Sequence, residues 1–446
     1  MAQTRGVETV THLGHTAGPA PSNRSGFVVR VGIFLRKLGP GLITGASDDD
    51  PSGIATYSQV GAQFGYGLLW TMWITYPLMG AMQEISARVG RVTGKGIAAN
   101  LRLCYPKPLL YAMVVLVAVC NVFNLGADIG AMGAAAELLV PGPREIYIVI
   151  FGILSLALLL FVPYSSYVKY LKWLTISLFA YVGAAFFAHV SWRTALADAF
   201  LPHLHLSKEY WTALTAVLGT TISPYLFFWQ ASQEVEEVRN HHGEKPLKRA
   251  PGQAEVQIER IRMDTYVGMA LSNLVASFII LTAGATLHEH GILDVTSAAQ
   301  AARALEPLAG KWAAALFTCG ILGTGLLAVP VLAGSAGYAI GETFKWRVSL
   351  ESTPPSAIRF YSTLTAATVI GLALNFMHID PMRALYWAAV LNGLAAGPLM
   401  GLIVAIARNR TVMGKFVISL PLQILGWAAT IGMFAAGLGT LLSWKL

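Results

Sequence analysis

The sequence predicts an all-α integral membrane protein. Of its 446 residues, 55% are hydrophobic and only 12% are charged, with a mean hydropathy of +0.58, whereas about a quarter of the residues are charged in soluble proteins. A spanning helix needs about 20 mostly apolar residues, and eleven segments meet this requirement. They are residues 31–63, 67–87, 109–139, 145–163, 170–189, 211–238, 263–287, 311–343, 357–376, 384–407 and 416–443.

The ends of the chain and its basic residues predict the topology. The polar N-terminal stretch lacks the apolar core of a signal peptide, so we expect residues 1–28 to form a disordered cytoplasmic tail and residues 29–444 a single transmembrane domain. Most of the 31 Lys and Arg residues lie in alternate connecting segments. This places the N-terminus in the cytoplasm and the C-terminus outside the cytoplasmic (inner) membrane.

The net charge of +8 is therefore explained by topology. We expect the protein to be surrounded by a lipid bilayer. No nucleic-acid partner is implied, because the one dense basic loop also carries several Glu residues and joins two membrane helices. A monomer is the expected oligomeric state.

The first span contains the acidic stretch "GASDDDPSGIATY", residues 45–57. Asp50 lies near the middle of the apolar segment, where an ionisable group is costly and normally faces a cavity, an ion or a partner. Pro51 disfavours helical backbone at Asp50, so the helix should break here and free carbonyl groups that can coordinate a cation. Asp48 and Asp49 are interpreted as a helix end at a wet interface, which would make most of this charge peripheral.

The sixth span contains a second interruption, "VLGTTISPYLFFWQASQEVEE", residues 217–237. Pro224 opposes helical hydrogen bonding, and the residues before it are small or carry hydroxyl groups. Two broken helices five spans apart occupy corresponding positions if the first ten spans form two five-helix halves. This pattern is typical of secondary transporters that have inverted repeats and a substrate site at the membrane midplane.

The chain resembles the Nramp divalent-metal transporters. The family's Asp-Pro-Gly-Asn pattern appears as "DPSG", Asp50 to Gly53, and its Met-Pro-His pattern appears as Ser223-Pro224-Tyr225. The stretches "ISARVGRVTGKGIAANLRLCYP" and "GADIGAMGAAAELL", the latter with Asp128, are also similar. The resemblance implies a LeuT-type fold, with inverted repeats at about 29–190 and 209–408 and an eleventh helix at 415–444.

Three residues of the family's metal site are replaced in this chain, and the replacements affect which ion the site suits. The family's binding-site Asn falls at Gly53, its thioether Met at Ser223, and its carbonyl-donating Ala at Thr220. A site without sulfur suits harder ions such as magnesium or manganese, and smaller side chains widen it for a partly hydrated ion. These changes resemble those of the Nramp-related magnesium transporters.

The predicted metal ligands follow from this resemblance, and the ion is cargo, so no cofactor is expected. The candidate ligands are Asp50, Gly53, Thr220 and Ser223, with Asp49, Tyr225 and Asn392 as further candidates. Asn392 can equally serve as a polar contact between helices.

Proton coupling is predicted to be weak or absent. The two His residues linked to proton movement in proton-driven members fall at Tyr225 and Gln230, and an acid one turn beyond Asp128 falls at Ala131. Tyr titrates near pH ~10 and Gln does not titrate, so neither relays protons at neutral pH. Asp128 and Glu84 remain as intramembrane acids.

Several alternatives stay open at this point. One is a proton-coupled manganese or iron transporter of the usual Nramp type, and another is a transporter of the same fold for an organic solute. An intramembrane aspartyl hydrolase using Asp50 and Asp128 is a third alternative, although we expect no enzymatic activity. Gln233, Glu234, Glu236 and Glu237 are interpreted as a solvated helix end or an acidic vestibule, and Asn121 and Asn124 as bonds between helices.

Overall fold

The computed structural model describes residues 44–445 except for 46, 164–165, 167–173, 203, 206, 242 and 378. Within these residues all regular secondary structure is helical. The predicted tail 1–28 and the first part of the first span lie outside the described residues.

Helices of eight or more residues are numbered here in chain order. They are α1 (Pro51–Phe64), α2 (Trp70–Thr93), α3 (Ile97–Cys104), α4 (Lys107–Leu139), α5 (Arg144–Phe161), α6 (Phe179–Phe187), α7 (Trp192–Phe200), α8 (Lys208–Thr221), α9 (Pro224–Asn240), α10 (Ala254–Ala283), α11 (Ala313–Thr343), α12 (Ile358–Leu374), α13 (Pro381–Arg408) and α14 (Leu420–Ser443).

Seven helical stretches of the described chain are long and apolar enough to cross a membrane. They contain α4, α5, α10, α11, α12, α13 and α14. The other predicted spans correspond to the two interrupted helices, to α2 with its buried polar residues, and to a segment around α6 that is only partly described. Large apolar side chains on the outer surface, such as Phe161, Phe186 and Leu442, suit lipid contact.

Both predicted interruptions are confirmed. Residues 47–48 are helical, Asp50 adopts an extended conformation with φ −67° and ψ 170°, and α1 then begins at Pro51. In the sixth span, α8 ends at Thr221, Ser223 is extended with φ −69° and ψ 127°, and α9 begins at Pro224. Each helix restarts at a proline because the first helical position needs no N–H donor and favours the fixed φ of proline.

The third and eighth predicted spans are continuous helices in the described residues. Helix α4 runs for 33 residues without interruption, and α11 continues for 31 residues through Pro330. Their glycines and alanines serve close packing instead, because small residues allow membrane helices to approach each other. Helix α4 packs against α1, α11, α12 and α13, so it forms one wall of the space around the first break.

The contact between α2 and α9 shows how little room such packing leaves. A Cβ atom on Gly90 would collide with the backbone carbonyl of Ala231, which cannot move without shifting α9. By contrast, nothing lies within 4 Å of the position that a Cβ on Gly432 of α14 would take.

These two glycines provide a matched test of the helix packing. Gly90→Ala should destabilise the protein by about 1–3 kcal/mol or more, because overpacking forces backbone shifts. Gly432→Ala should leave stability unchanged or raise it by up to about 1 kcal/mol, because alanine favours helix. The measurement is the thermal midpoint of the detergent-solubilised protein, and equal midpoints for the two variants would contradict the described contact between α2 and α9.

Candidate metal-binding site

Asp50 occupies the break between the two parts of the first span, where its carboxylate caps α1. Its Oδ1 accepts hydrogen bonds from the backbone N–H of Gly53 at 2.8 Å and from the Ser52 hydroxyl at 2.6 Å. This N-terminal capping satisfies a backbone donor that has no partner within the helix. The carboxylate is 1% exposed, so the cap holds a charge inside the protein.

The other carboxylate oxygen of Asp50 is held from two more helices. Asn124 of α4 donates from Nδ2 to Asp50 Oδ2 at 3.0 Å, and the Tyr225 hydroxyl of α9 lies 3.1 Å from the same oxygen. The Tyr225 hydroxyl also lies 3.1 Å from the backbone carbonyl of Ser47, which precedes the break. Asp50 thus joins the first, third and sixth spans at one point, and the prediction that Asn124 bonds between helices is confirmed.

Gly53 faces the second interruption across a narrow gap. A Cβ atom built on Gly53 would lie 3.4 Å from Thr220 Oγ1, 3.4 Å from Tyr57 Cε2 and 3.5 Å from the carbonyl oxygen of Asp48. A hydroxyl and a backbone carbonyl therefore line the space that the missing side chain leaves. The structure brings three predicted residues, Asp50, Gly53 and Thr220, to the junction of the two breaks.

Ser223 has a local role in addition to its predicted one. Its hydroxyl donates to the carbonyl oxygens of Thr220 at 2.8 Å and Gly219 at 3.0 Å, which are freed where α8 ends. The bond leaves the lone pairs of the Ser223 oxygen for another donor or a cation. The backbone carbonyl of Thr220 is already engaged by one hydrogen bond, and its own hydroxyl, which lies near the Tyr57 hydroxyl, makes no hydrogen bond of normal geometry in the described part of the chain.

Asp48 and Asp49 are not at a wet interface, so that interpretation was wrong. They are 1% and 6% exposed, and both approach the hydroxyl of Ser272 on α10, with Asp48 Oδ2 at 2.7 Å and Asp49 Oδ1 at 3.0 Å. One hydroxyl donates one proton, so it serves only one of these carboxylates at a time. The packing of α10 on this segment explains the burial, because Gly45 touches the backbone of Gly268 one turn before Ser272.

Asp128 is the fourth buried acid near the break. It is fully buried on α4, near the backbone N–H of Ser52, and neither carboxylate oxygen makes a hydrogen bond of normal geometry among the described residues. None of the ion pairs in this part of the chain involves Asp48, Asp49, Asp50 or Asp128. Buried charges are normally paired or bound to metal, so this region favours a cation.

The acids do not form a ready-made cage. Among the described residues, no group of three or more His, Cys, Asp or Glu side chains is arranged to hold a metal ion. A cation at Asp50 would therefore be bound by one carboxylate together with hydroxyl groups, carbonyl groups and water. This arrangement suits an ion that keeps part of its hydration shell.

Tyr225 and Gln230, which stand where proton-driven family members have histidines, both form hydrogen bonds to the first span. Tyr225 contacts Asp50 as described, and Gln230 accepts a hydrogen bond from the Thr44 hydroxyl in the segment before the first break. Glu84 is buried on α2 but forms an ion pair with Arg88 one turn later. Tyr225 and Gln230 thus hold α9 against the first span, Glu84 pairs within α2, and Asp128 is the acid on that side that forms no ion pair within the described chain.

Asn392 lies within α13, which packs against both α8 and α1. The side chain is 1% exposed, and neither its oxygen nor its nitrogen has a hydrogen-bond partner in the described part of the chain. No helix-to-helix hydrogen bond is made by this amide, so its role as a site residue stays a prediction.

A cavity of about 570 Å³ lies beyond the site, toward the C-terminal end of α1. Ala55, Gln59 and Gln63 line it from α1, and Met382 and Trp387 line it from α13. Gln59 bonds to the loop above α1, with its Nε2 3.2 Å from the carbonyl oxygen of Leu293 and its Oε1 2.7 Å from the N–H of Val295. The cavity begins within two helical turns of Asp50 and is large enough for a hydrated ion.

The interpretation as a solvated helix end was wrong for Glu234 and Glu236, which are buried, whereas the Glu237 side chain is 35% exposed. Glu234 is fully buried and its carboxylate lies 2.5 Å from Arg260 and 3.9 Å from Arg91. Glu236 accepts from the Tyr338 hydroxyl at 2.9 Å and from the Ser349 hydroxyl at 2.8 Å.

These contacts tie α9 to its neighbours at the end far from Pro224. Arg91 also pairs with Glu244 at 2.5 Å, so α2, α9 and α10 meet in one charged network. Sequence reasoning missed this network because its members are separated by many residues along the chain.

Nearly the whole transmembrane domain matches one known protein family. The family model described as "Natural resistance-associated macrophage protein-like" (Nramp) matches residues 41–443. The chain belongs to the Nramp family. A divalent metal cation transporter MntH from Klebsiella pneumoniae (strain 342) is 26% identical over 405 residues, which is 89% of this chain and 91% of that protein.

Solved structures agree on the fold. The Nramp chain superposes on a crystal structure of the Eremococcus coleocola manganese transporter with a TM-score of 0.70 at 16% identity, covering 96% of this chain and 88% of that one. It also resembles Mhp1, a nucleobase-cation-symport-1 family transporter, with a TM-score of 0.58 at 14% identity and 92% coverage of each chain.

These likenesses confirm the predicted all-α, LeuT-type fold of an integral membrane protein. The relatives matched by sequence are transporters, so the prediction that the chain is not an enzyme is confirmed and the hydrolase alternative is dropped.

Proposed function

We propose that this protein takes up divalent metal cations across the cytoplasmic membrane, with magnesium, manganese or both as the transported ions. The ion binds partly hydrated at the midplane, between the broken first and sixth helices. The supporting observation is the position of Asp50, a buried carboxylate at one helix break, three residues before Gly53, which faces Thr220 at the other break. The names of the relatives, a divalent metal cation transporter and a manganese transporter, support the same class of cargo.

The chemistry of the lining favours a hard ion. The side chains at the junction offer carboxylate, hydroxyl and amide oxygens, and Ser223 stands where the family has a thioether. Magnesium and manganese prefer oxygen ligands, whereas thioethers favour softer metals. Magnesium also dehydrates reluctantly and usually keeps several waters, which fits a site with few direct protein ligands.

The ligands expected to contact the ion directly are Asp50 and the oxygens around Gly53 and Thr220. Ser223, Asp49 and Asn392 would act through water or from the edge of the site. Tyr225 would act on the position of Asp50, because its hydroxyl already lies beside that carboxylate.

Two other functions stay as alternatives to this proposal. A proton-coupled manganese or iron transporter would use Asp128, an acid without a hydrogen-bond partner in the described residues. A transporter of an organic solute would fit the same fold, but a carboxylate at Asp50 would repel a substrate carboxylate.

The membrane potential is sufficient as a driving force without protons. It contributes roughly 2.3 kcal/mol per charge per 100 mV, or about 4.6 kcal/mol for a divalent ion. The N-terminus is proposed to be cytoplasmic and the C-terminus external, as the distribution of basic residues indicates.

The first test removes the main ligand. Asp50→Ala should reduce magnesium and manganese uptake into proteoliposomes to the level of empty vesicles, because the carboxylate supplies the only side-chain charge at the junction expected to contact the ion. Glu145→Ala serves as control, because this residue is exposed at the start of α5, and it should transport normally. Uptake that survives in Asp50→Ala would refute the site.

The second test narrows the site. Gly53→Asn should lower the ratio of magnesium to manganese uptake by about tenfold, since small changes in pocket fit are worth 1–3 kcal/mol and an added amide ligand replaces space for water. Gly53→Ala is the control, because its Cβ would meet only contacts of 3.4 Å or more. It should change the ratio much less, and an unchanged ratio in Gly53→Asn would count against a hydrated ion.

The third test addresses proton coupling. With the membrane voltage clamped, metal entry into proteoliposomes should leave the signal of an internal pH dye unchanged, because Tyr225 and Gln230 do not relay protons at neutral pH. A protonophore added at the end supplies the positive control for the dye. Acidification that follows metal entry and disappears in Asp128→Asn would support the proton-coupled alternative instead.

A further inference from the structure

We infer that Asn124 determines ion selectivity by accepting a hydrogen bond from a water molecule that the transported ion carries with it. The inference rests on the proposed function, because it needs an ion at Asp50. It adds a residue of the third span to the site, outside the two broken helices.

The orientation of the Asn124 amide is fixed by chemistry. The side chain is fully buried and donates from Nδ2 to Asp50 Oδ2 at 3.0 Å. Turning the amide over would place its oxygen against a carboxylate oxygen, two acceptors without a proton between them. The nitrogen therefore faces Asp50, and the oxygen of the same planar group lies one amide width from that carboxylate.

The Asn124 oxygen has no partner in the described part of the chain. A buried acceptor left without a hydrogen bond destabilises the protein, so such oxygens are normally satisfied by protein or by water. Asp128 lies one helical turn further along α4, on the same face, and neither of its oxygens makes a hydrogen bond of normal geometry within the described chain. This face of α4 thus presents acceptor oxygens beside Asp50, and among the described residues only the backbone N–H of Ser52 lies near Asp128 as a donor.

A hydrated cation supplies the hydrogen-bond donors that the acceptor oxygens of α4 need. Waters bound to a divalent ion point their hydrogens outward, so an ion at Asp50 that keeps its waters would donate to the Asn124 oxygen. A fully dehydrated ion offers no such donor. Asn124 would then favour ions that retain water, and magnesium retains water more strongly than most divalent ions found in proteins.

The probe for this contact is hexaamminecobalt(III), an inert complex whose ammine ligands donate hydrogen bonds outward and which cannot bind a ligand directly. We expect it to compete with whichever divalent ion the wild type takes up into proteoliposomes. Asn124→Leu should raise the half-inhibitory concentration by about tenfold, the effect of losing one hydrogen bond to a charged partner. Asn124→Asp, which keeps an acceptor oxygen, should be inhibited at least as strongly as wild type.

The matched control is Asn121→Leu. Asn121 is also buried on α4, but its amide donates to the carbonyl oxygen of Leu332 on α11 at 3.2 Å rather than to Asp50. This variant should be inhibited like wild type.

The outcomes separate the inference from the proposed function. If Asn124→Leu is inhibited like wild type, if Asn121→Leu loses inhibition as much as Asn124→Leu does, or if Asn124→Asp also loses it, Asn124 is not a specific water acceptor and the inference fails. Such a result leaves the proposed function standing, provided that Asp50→Ala has abolished uptake. Should Asn124→Leu fail to fold, as judged by its thermal midpoint, Asn124→Ala, which also removes the acceptor oxygen and adds no bulk, takes its place with the same expected rise in the half-inhibitory concentration.

Discussion

The site depends on the carboxylate of Asp50, which caps the N-terminus of α1 and links the first, third and sixth spans by hydrogen bonds. Its Oδ1 caps α1 through Ser52 and Gly53, and its Oδ2 meets Asn124 of α4 and Tyr225 of α9. A helix break inside a membrane leaves backbone groups without partners, which is tolerated only where other polar groups or a cavity satisfy them. Here the group that satisfies the break is also the one that can bind a cation.

The distribution of charge follows from this constraint. Four carboxylates lie buried near the break, and none of them forms an ion pair within the described chain. The arginines of the buried network, Arg91 and Arg260, instead pair with Glu234 at the other end of α9. Pairing at that end stabilises the contact between helices, whereas the absence of pairing at the break preserves an attraction for an incoming cation.

The local features of the fold could be predicted from the sequence. Pro51 and Pro224 predict the two helix breaks, because proline restricts its own backbone and that of the preceding residue. Asp50 stands out because it is a charge in an apolar segment. The burial of Asp48 and Asp49, and of Glu234, could not be predicted, because it depends on Ser272 and Arg260, which reach these acids only after distant helices pack together.

Tyr225 stands where proton-driven members of the family have a histidine, and this difference bears on how transport is driven. A histidine at this position could contact Asp50 and also accept or release a proton near neutral pH. The tyrosine hydroxyl makes the contact, at 3.1 Å from both Asp50 and the carbonyl oxygen of Ser47, but keeps its proton in that range. The bridge between the two sides of the break is therefore retained, and this position has no group that titrates near neutral pH. The proposed uncoupled transport would draw its driving force from the ion gradient and the membrane potential, and that requirement would favour an ion that is abundant outside the cell.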